Sequence, residues 1–223
     1  MDQLLTANVA SNLYWLGRHL DRTEATLYNV IKTYDLIIDV DKDAGAKLYE
    51  KFGINLKYKN AMGFLHNAIL GNHNNNLRTI TANARENAII ARNYINTEMF
   101  GEVIALNALF RDATTNALTI DYQFIDHAQS LINEILGELS KRKAKQGSDF
   151  FIRLGKLVEE IDFCFRLDKD EALTNNIINE AYMVMHTLAP DLPQNMILFQ
   201  KKRKNQQEIF DDIYKKIATI IVE

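Results

Sequence analysis

The sequence predicts an all-α bundle of about seven to nine helices, and three observations carry that expectation. The only prolines are Pro190 and Pro193, so nothing upstream of position 190 interrupts a helical hydrogen-bond ladder. The nine glycines stand singly, whereas a small sandwich or barrel needs turn residues every ~8–12 residues. Apolar residues recur in steps of three and four over long stretches, which marks one face of a helix.

The first helix is the longest. Leu5, Val9, Leu13, Leu16, Leu20, Leu27, Ile31, Tyr34 and Ile38 share a face, and no breaker intervenes before Asp41 to Gly45. One helix of ~36 residues, roughly 54 Å long, is expected. A short helix ending near Gly53 follows, then another around Asn60 to Leu70. Gly71 to Asn76 is a loop whose last asparagine suits an N-cap. Leu77 to Tyr94 reads as helix, continuing or restarting near Thr97 and running to Ala113. Asp121 to Lys145 is the next, with Lys141, Arg142, Lys143 and Lys145 complementing the carbonyl end of its dipole. Gly147-Ser148 closes it and caps a helix over Asp149 to Asp168. Thr174 to Leu188 is one more; Pro190 to Pro193 forms a linker. A final amphipathic helix carries Phe210, Ile213, Tyr214, Ile217 and Ile220. Residues 1–168 are expected to form the main bundle, with 169–223 a C-terminal helical segment packed on it.

Composition sets several function classes aside. At 47% hydrophobic and 25% charged, the chain can fold around a core. A formal charge of −3 gives no electrostatic case for nucleic acid. A lone Cys164 excludes an internal disulfide and a cysteine-based zinc site. It sits between Phe163 and Phe165, a packing position rather than a nucleophile's. No apolar run approaches the ~20 residues a membrane span needs. Met1-Asp2-Gln3 does not open a signal peptide, so a cytoplasmic location is expected. No glutamate has a histidine three residues on, and His19, His66, His73, His127 and His186 show no ligand spacing, so no metal is expected. Neither a P-loop nor Gly-x-Gly-x-x-Gly occurs, and no cofactor is expected. Lys201 to Lys204, the densest basic run, reads as a solvated helix start.

An internal repeat stands out. Tyr14 to Glu24 aligns with Ile152 to Asp162, pairing Leu16-Gly17 with Leu154-Gly155, Arg18 with Lys156, Asp21 with Glu159 and Glu24 with Asp162. Shared apolar spacing and two shared acidic positions make this a duplicated long helix. A mid-helix glycine costs ~1 kcal/mol relative to alanine, tolerable where another backbone must come close. Between Leu20 and Leu27 the seam position is Thr23 or Glu24, and a carboxylate there needs a partner. Arg18 and Arg22 are near, so an Arg/Glu network is expected mid-helix. Arg85-Glu86 forms a second group, in which Arg78, Arg85 and Arg92 recur every seven residues. Glu98 heads a line of small residues, Gly101, Ala105 and Ala108, suited to close helix packing.

Asn12 to Arg18 with Arg22 and Glu24, Ala84 to Ala88, Glu98-Met99-Phe100, Leu106-Asn107 and Phe151 to Asp162 together resemble the bacterial alpha-E family. The resemblance covers Leu5 to Asp168 in patches. It implies a helical domain, often tandemly duplicated and named for a Glu-Arg pair. The pair here reads Asp21-Arg22 in the first copy and Glu159-Glu160 in the second, and Phe100 stands where the family tends to carry tryptophan. The family's genomic company implies a role in peptide synthesis or modification, beside ATP-grasp ligases, transglutaminase-like proteins and amidohydrolase-type peptidases.

Three readings follow. The leading one is a non-catalytic accessory protein, binding a partner or peptide through Arg18, Arg22, Glu24, Arg85, Glu86, Glu98 and Asp162, since arginine forks onto carboxylates. Its partner by resemblance is an ATP-grasp ligase or transglutaminase-like protein. The same charges equally suit an ionic network that fixes helix register. The rival is an enzyme of peptide or amide-bond chemistry with Glu24 or Glu86 as general base. The third is a structural module that forms homo-oligomers, which an exposed apolar stripe on the last helix would favour.

Overall fold

The protein is described by a computed structural model over residues 5–115, 120–141, 146–191 and 206–222. Those residues hold nine α-helices and no strand. They are α1 (Ala7–Asp39), α2 (Ala44–Glu50), α3 (Ala61–Leu70), α4 (Leu77–Ile90), α5 (Thr97–Thr115), α6 (Tyr122–Lys141), α7 (Gly147–Arg166), α8 (Glu171–Leu188) and α9 (Gln206–Val222). The all-α expectation holds. None of the described helices is long and apolar enough to cross a membrane.

Short polar side chains start most helices by satisfying orphan N–H groups of the first turn. Asn60 Oδ1 accepts from Gly63 N–H at 2.8 Å, Asn76 from Thr79 at 2.8 Å, Asn96 from Met99 at 2.8 Å and Asp170 from Leu173 at 2.9 Å. The start of α7 differs from expectation. Gln146, rather than Gly147-Ser148, is its cap, and Asp149 Oδ2 accepts from the Gln146 backbone N–H at 2.9 Å to close a capping box. The described part of α6 ends at Lys141; Arg142, Lys143, Lys145, Pro193 and the Lys201–Lys204 run lie outside the described residues.

Contacts divide the chain into two compact units, Met1–Arg18 with Lys143–Glu223, and His19–Arg142. The α1 helix therefore contributes residues to both. In the His19–Arg142 unit, α4, α5 and α6 pack in succession and α3 packs on α4. Leu77, Ile80 and Ala84 of α4 are buried, as are Met99, Val103, Leu106 and Phe110 of α5. The Phe110 and Phe124 rings meet edge-on at 5.4 Å. At ~1.5–3 kcal/mol for each large apolar side chain buried, these faces account for the packing.

Two expectations fail in this unit. Helix α4 ends at Ile90, and Arg92 belongs to a 3-10 turn (Arg92–Tyr94) beyond it. It therefore leaves the α4 face of Arg78 and Arg85 and sets its guanidinium 5.1 Å from the Phe100 ring centre. The small residues after Glu98 are not a packing stripe. Gly101 and Ala105 are exposed, nothing lies within 4 Å of where a Gly101 Cβ would stand, and the opposite face carries the packing.

The other unit joins the start of α1 to α7, α8 and α9. Helix α7 is its centre, with Phe151, Ile152, Leu154, Leu157, Val158 and Ile161 buried. On α8, Ile177, Ile178, Ala181 and Met185 face inward, and on α9 Ile209, Ile213, Ile217 and Ile220 do so.

Candidate functional site

The repeat becomes geometry at Gly17 and Gly155. A Cβ added to Gly17 would stand 2.1 Å from the Ile152 carbonyl oxygen, and one added to Gly155 would stand 2.0 Å from the Tyr14 carbonyl oxygen. Each glycine thus presses on the residue three positions before the other, so the α1–α7 crossing is reciprocal. Tyr14 and Ile152 are themselves equivalent in the repeat, as are the glycines. Only glycine lets two helix backbones meet this closely.

One residue beyond that crossing, Arg18 turns toward α7. Its Nε and Nη2 donate to the same Glu159 Oε2, at 2.8 and 2.7 Å. Both side chains are sealed from water, with 6% and 0% of their areas exposed. Nη1 donates to the Tyr214 hydroxyl of α9 at 2.9 Å. Burial opposes the charge on Arg18, but Glu159 outweighs it, and the guanidinium pKa is pushed above its ordinary value. Burial likewise pushes the Tyr14 phenol up, against the pull of Arg18. The guanidinium lies 5.2 Å from the Trp15 ring centre and 5.9 Å from that of Tyr214. Trp15 and Tyr214 remain about 40% exposed, at 40% and 41%.

The remaining candidates fall in several settings. Asp162 accepts from Arg166 Nε at 2.8 Å one turn along α7. In the His19–Arg142 unit, Thr23 takes the seam position, fully buried and donating to the His19 carbonyl at 2.7 Å, while Glu24 and Arg22 are half-buried. Arg85 and Glu86 form an ion pair with each other on the surface of α4, with 38% and 64% of their side chains exposed. Glu98 is exposed in the first turn of α5, a position that favours a carboxylate.

Glu159, Tyr14, Trp15 and Tyr214 complete the site and were not singled out from the sequence. Glu159 had a signal, since it falls at the family's acidic position and among the apolar residues of α7. At Arg18 the guanidinium is enclosed by a buried carboxylate and two ring faces. Its charge is spent on Glu159, and what reaches solvent is aromatic. Among the described residues no cluster of three or more His, Cys, Asp or Glu side chains is placed to hold a metal ion.

A family model described as a predicted alpha-helical domain with a conserved ER motif matches residues 5–188. It runs past Asp168, where the motif resemblance stops, and takes in α8. No curated protein and no solved structure matches the chain.

Proposed function

The chain belongs to the alpha-E family, and on that premise we propose that it is a helical binding component of a peptide synthesis or modification system. Its partner is an ATP-grasp ligase or a transglutaminase-like protein. The observation that supports this reading is Trp15, held half-open over a buried arginine that Glu159 fixes in place. Tryptophan, tyrosine and arginine are the residues enriched where binding energy concentrates at protein interfaces, and an aromatic ring presents large area at low conformational cost. The exposed Arg85–Glu86 pair adds charge for steering and register on the other unit.

The enzyme reading draws less from the same geometry. A carboxylate base works best desolvated in a cleft, whereas Glu86 is exposed and ion-paired. Self-association through the last helix loses its motive, since the isoleucine stripe of α9 is already buried within its own chain.

The test is capture from the native host with wild type, Trp15→Ala and Arg85→Ala as baits. Enrichment of an ATP-grasp or transglutaminase-like protein by wild type, weakened by both variants, supports the reading. Failure to enrich either class with the wild-type bait contradicts it.

A further inference from the structure

From Leu27 onward, α1 carries two stripes. The inward one, Leu27, Val30, Thr33 and Ile37, is buried in the His19–Arg142 unit. The outward one, Tyr28, Lys32, Leu36 and Val40, runs in steps of four and is exposed at every position. Val40 stands one residue past the helix yet keeps its course, donating its backbone N–H to the Leu36 carbonyl at 2.9 Å. Large apolar side chains exposed singly are ordinary on a protein surface. On α1 they gather: of eleven among the described residues, Tyr28, Leu36, Ile38 and Val40 lie within one short stretch, and Val40 is 80% exposed.

The charges on this face have a definite order. Lys32, Asp35 and Asp39 are exposed. Among the described residues neither aspartate has a cationic partner and Lys32 has no acidic one; its ammonium rests 5.3 Å from the Tyr28 ring centre. Lys32 and Asp39 are seven positions apart, so they lie within about 20° of each other around the helix and roughly 10.5 Å apart along it. Consider a second copy of the helix laid antiparallel, with a two-fold axis passing between Asp35 and Leu36. Lys32 of each copy then stands level with Asp39 of the other, and the two Leu36 side chains meet beside the axis. A parallel arrangement would set lysine on lysine and aspartate on aspartate. The charge order therefore favours one direction and one register.

We propose that this face of α1 is a docking surface for a second copy of the chain, forming an antiparallel two-fold dimer. Such a contact is closed, since both copies use the same patch. Tyr28, Leu36 and Val40 supply the apolar area, while Lys32 and Asp39 set direction and register more than strength. The patch is one helix wide, so the dimer is weak and reversible. A dimer carries every surface of the chain twice, which raises avidity for a multivalent partner. The proposal goes beyond the partner class named above and does not depend on it.

The test is sedimentation equilibrium of the full-length chain from about 5 to about 500 μM at low salt, a range that covers weak association. The mass of wild type should rise with concentration from one chain toward two. Lys32→Asp and Asp39→Lys should each weaken association at least about tenfold, because like charges then meet in both pairs. Asp39→Lys sits at the carbonyl end of α1, where a cation suits the helix dipole, so its effect is not a loss of helix. An equimolar mixture of the two variants should associate again, since opposite charges then face each other at both pairs. The doubly reversed chain should do so alone. A wild-type chain that stays monomeric over the whole range overturns the proposal. So do single variants that associate as well as wild type, or a mixture that associates no better than either variant by itself.

Discussion

Replacing Gly155 by alanine tests the helix crossing that seats Arg18. The new methyl carbon would stand 2.0 Å from the Tyr14 carbonyl oxygen, 2.9 Å from Arg18 N and 3.0 Å from Tyr14 C. All three are backbone atoms, so no side chain can swing away. Ordinary contact begins near 3.4 Å, so α1 and α7 must part by about 1.4 Å, enough to forfeit much of the dispersion attraction across the crossing. Overpacking costs ~1–3 kcal/mol, and a backbone clash belongs at the upper end. Alanine returns ~1 kcal/mol of helix propensity, leaving a net loss of about 2 kcal/mol. For a chain of this size that lowers the melting temperature by roughly 4–8 °C. The control is Gly101→Ala, mid-helix in α5 with nothing within 4 Å of the new Cβ. It should gain up to ~1 kcal/mol and melt higher. The two variants are compared by thermal melts followed by circular dichroism and by Trp15 emission. Shifts of the same sign and size would refute the close crossing. Gly17→Ala should behave like Gly155→Ala, and the double variant should cost less than the two added, since one opening relieves both clashes.

Arg18→Gln leaves Glu159 buried without its counter-charge and should cost ~3–5 kcal/mol in denaturant unfolding. Arg18→Met with Glu159→Leu should recover most of that loss, and a double variant no more stable than the single would contradict a pure pairing role. Arg85→Ala and Glu86→Ala remove a surface pair and should each change stability by less than ~1 kcal/mol, so unfolding of either variant would show a structural role. Burial holds the His73 imidazole pKa below its ordinary 6.5, against the opposing hydrogen bond with the Asn67 carbonyl. The unfolded chain then takes up the proton first. Stability should be full above pH 6.5 and decline as pH falls below it, until the folded-state ring also titrates. His73→Gln should flatten this part of the pH profile, and an unchanged profile would remove His73 as its source.

The legible parts of the fold were those set by local rules. Leu13, Leu16, Leu20 and Leu27 define α1 by spacing alone, and Asn76 declares itself as a cap because its short amide reaches a first-turn N–H. Gly17 and Gly155 could be read as a close approach because the repeat paired them. Other features depend on which face of a helix finds a neighbour. The spacing of Glu98, Gly101 and Ala105 fits a packing stripe as well as an exposed one, and Met99, Val103 and Phe110 on another face decided the matter. Glu24 and Thr23 were equivalent by pattern, and the smaller hydroxyl took the seam because it satisfies itself on the His19 carbonyl. The partner of Arg18 lies 141 residues away, beyond any local rule. Tyr214 comes from a helix that the family resemblance does not reach.

The most direct measurement is an isothermal titration of the purified ATP-grasp or transglutaminase-like protein from the same host into wild type, Trp15→Ala and Arg85→Ala. A single-site isotherm with wild type, weakened at least about tenfold by Trp15→Ala with an unchanged melting temperature, is the expected result. No heat with wild type, or isotherms identical across the three chains, would contradict the account.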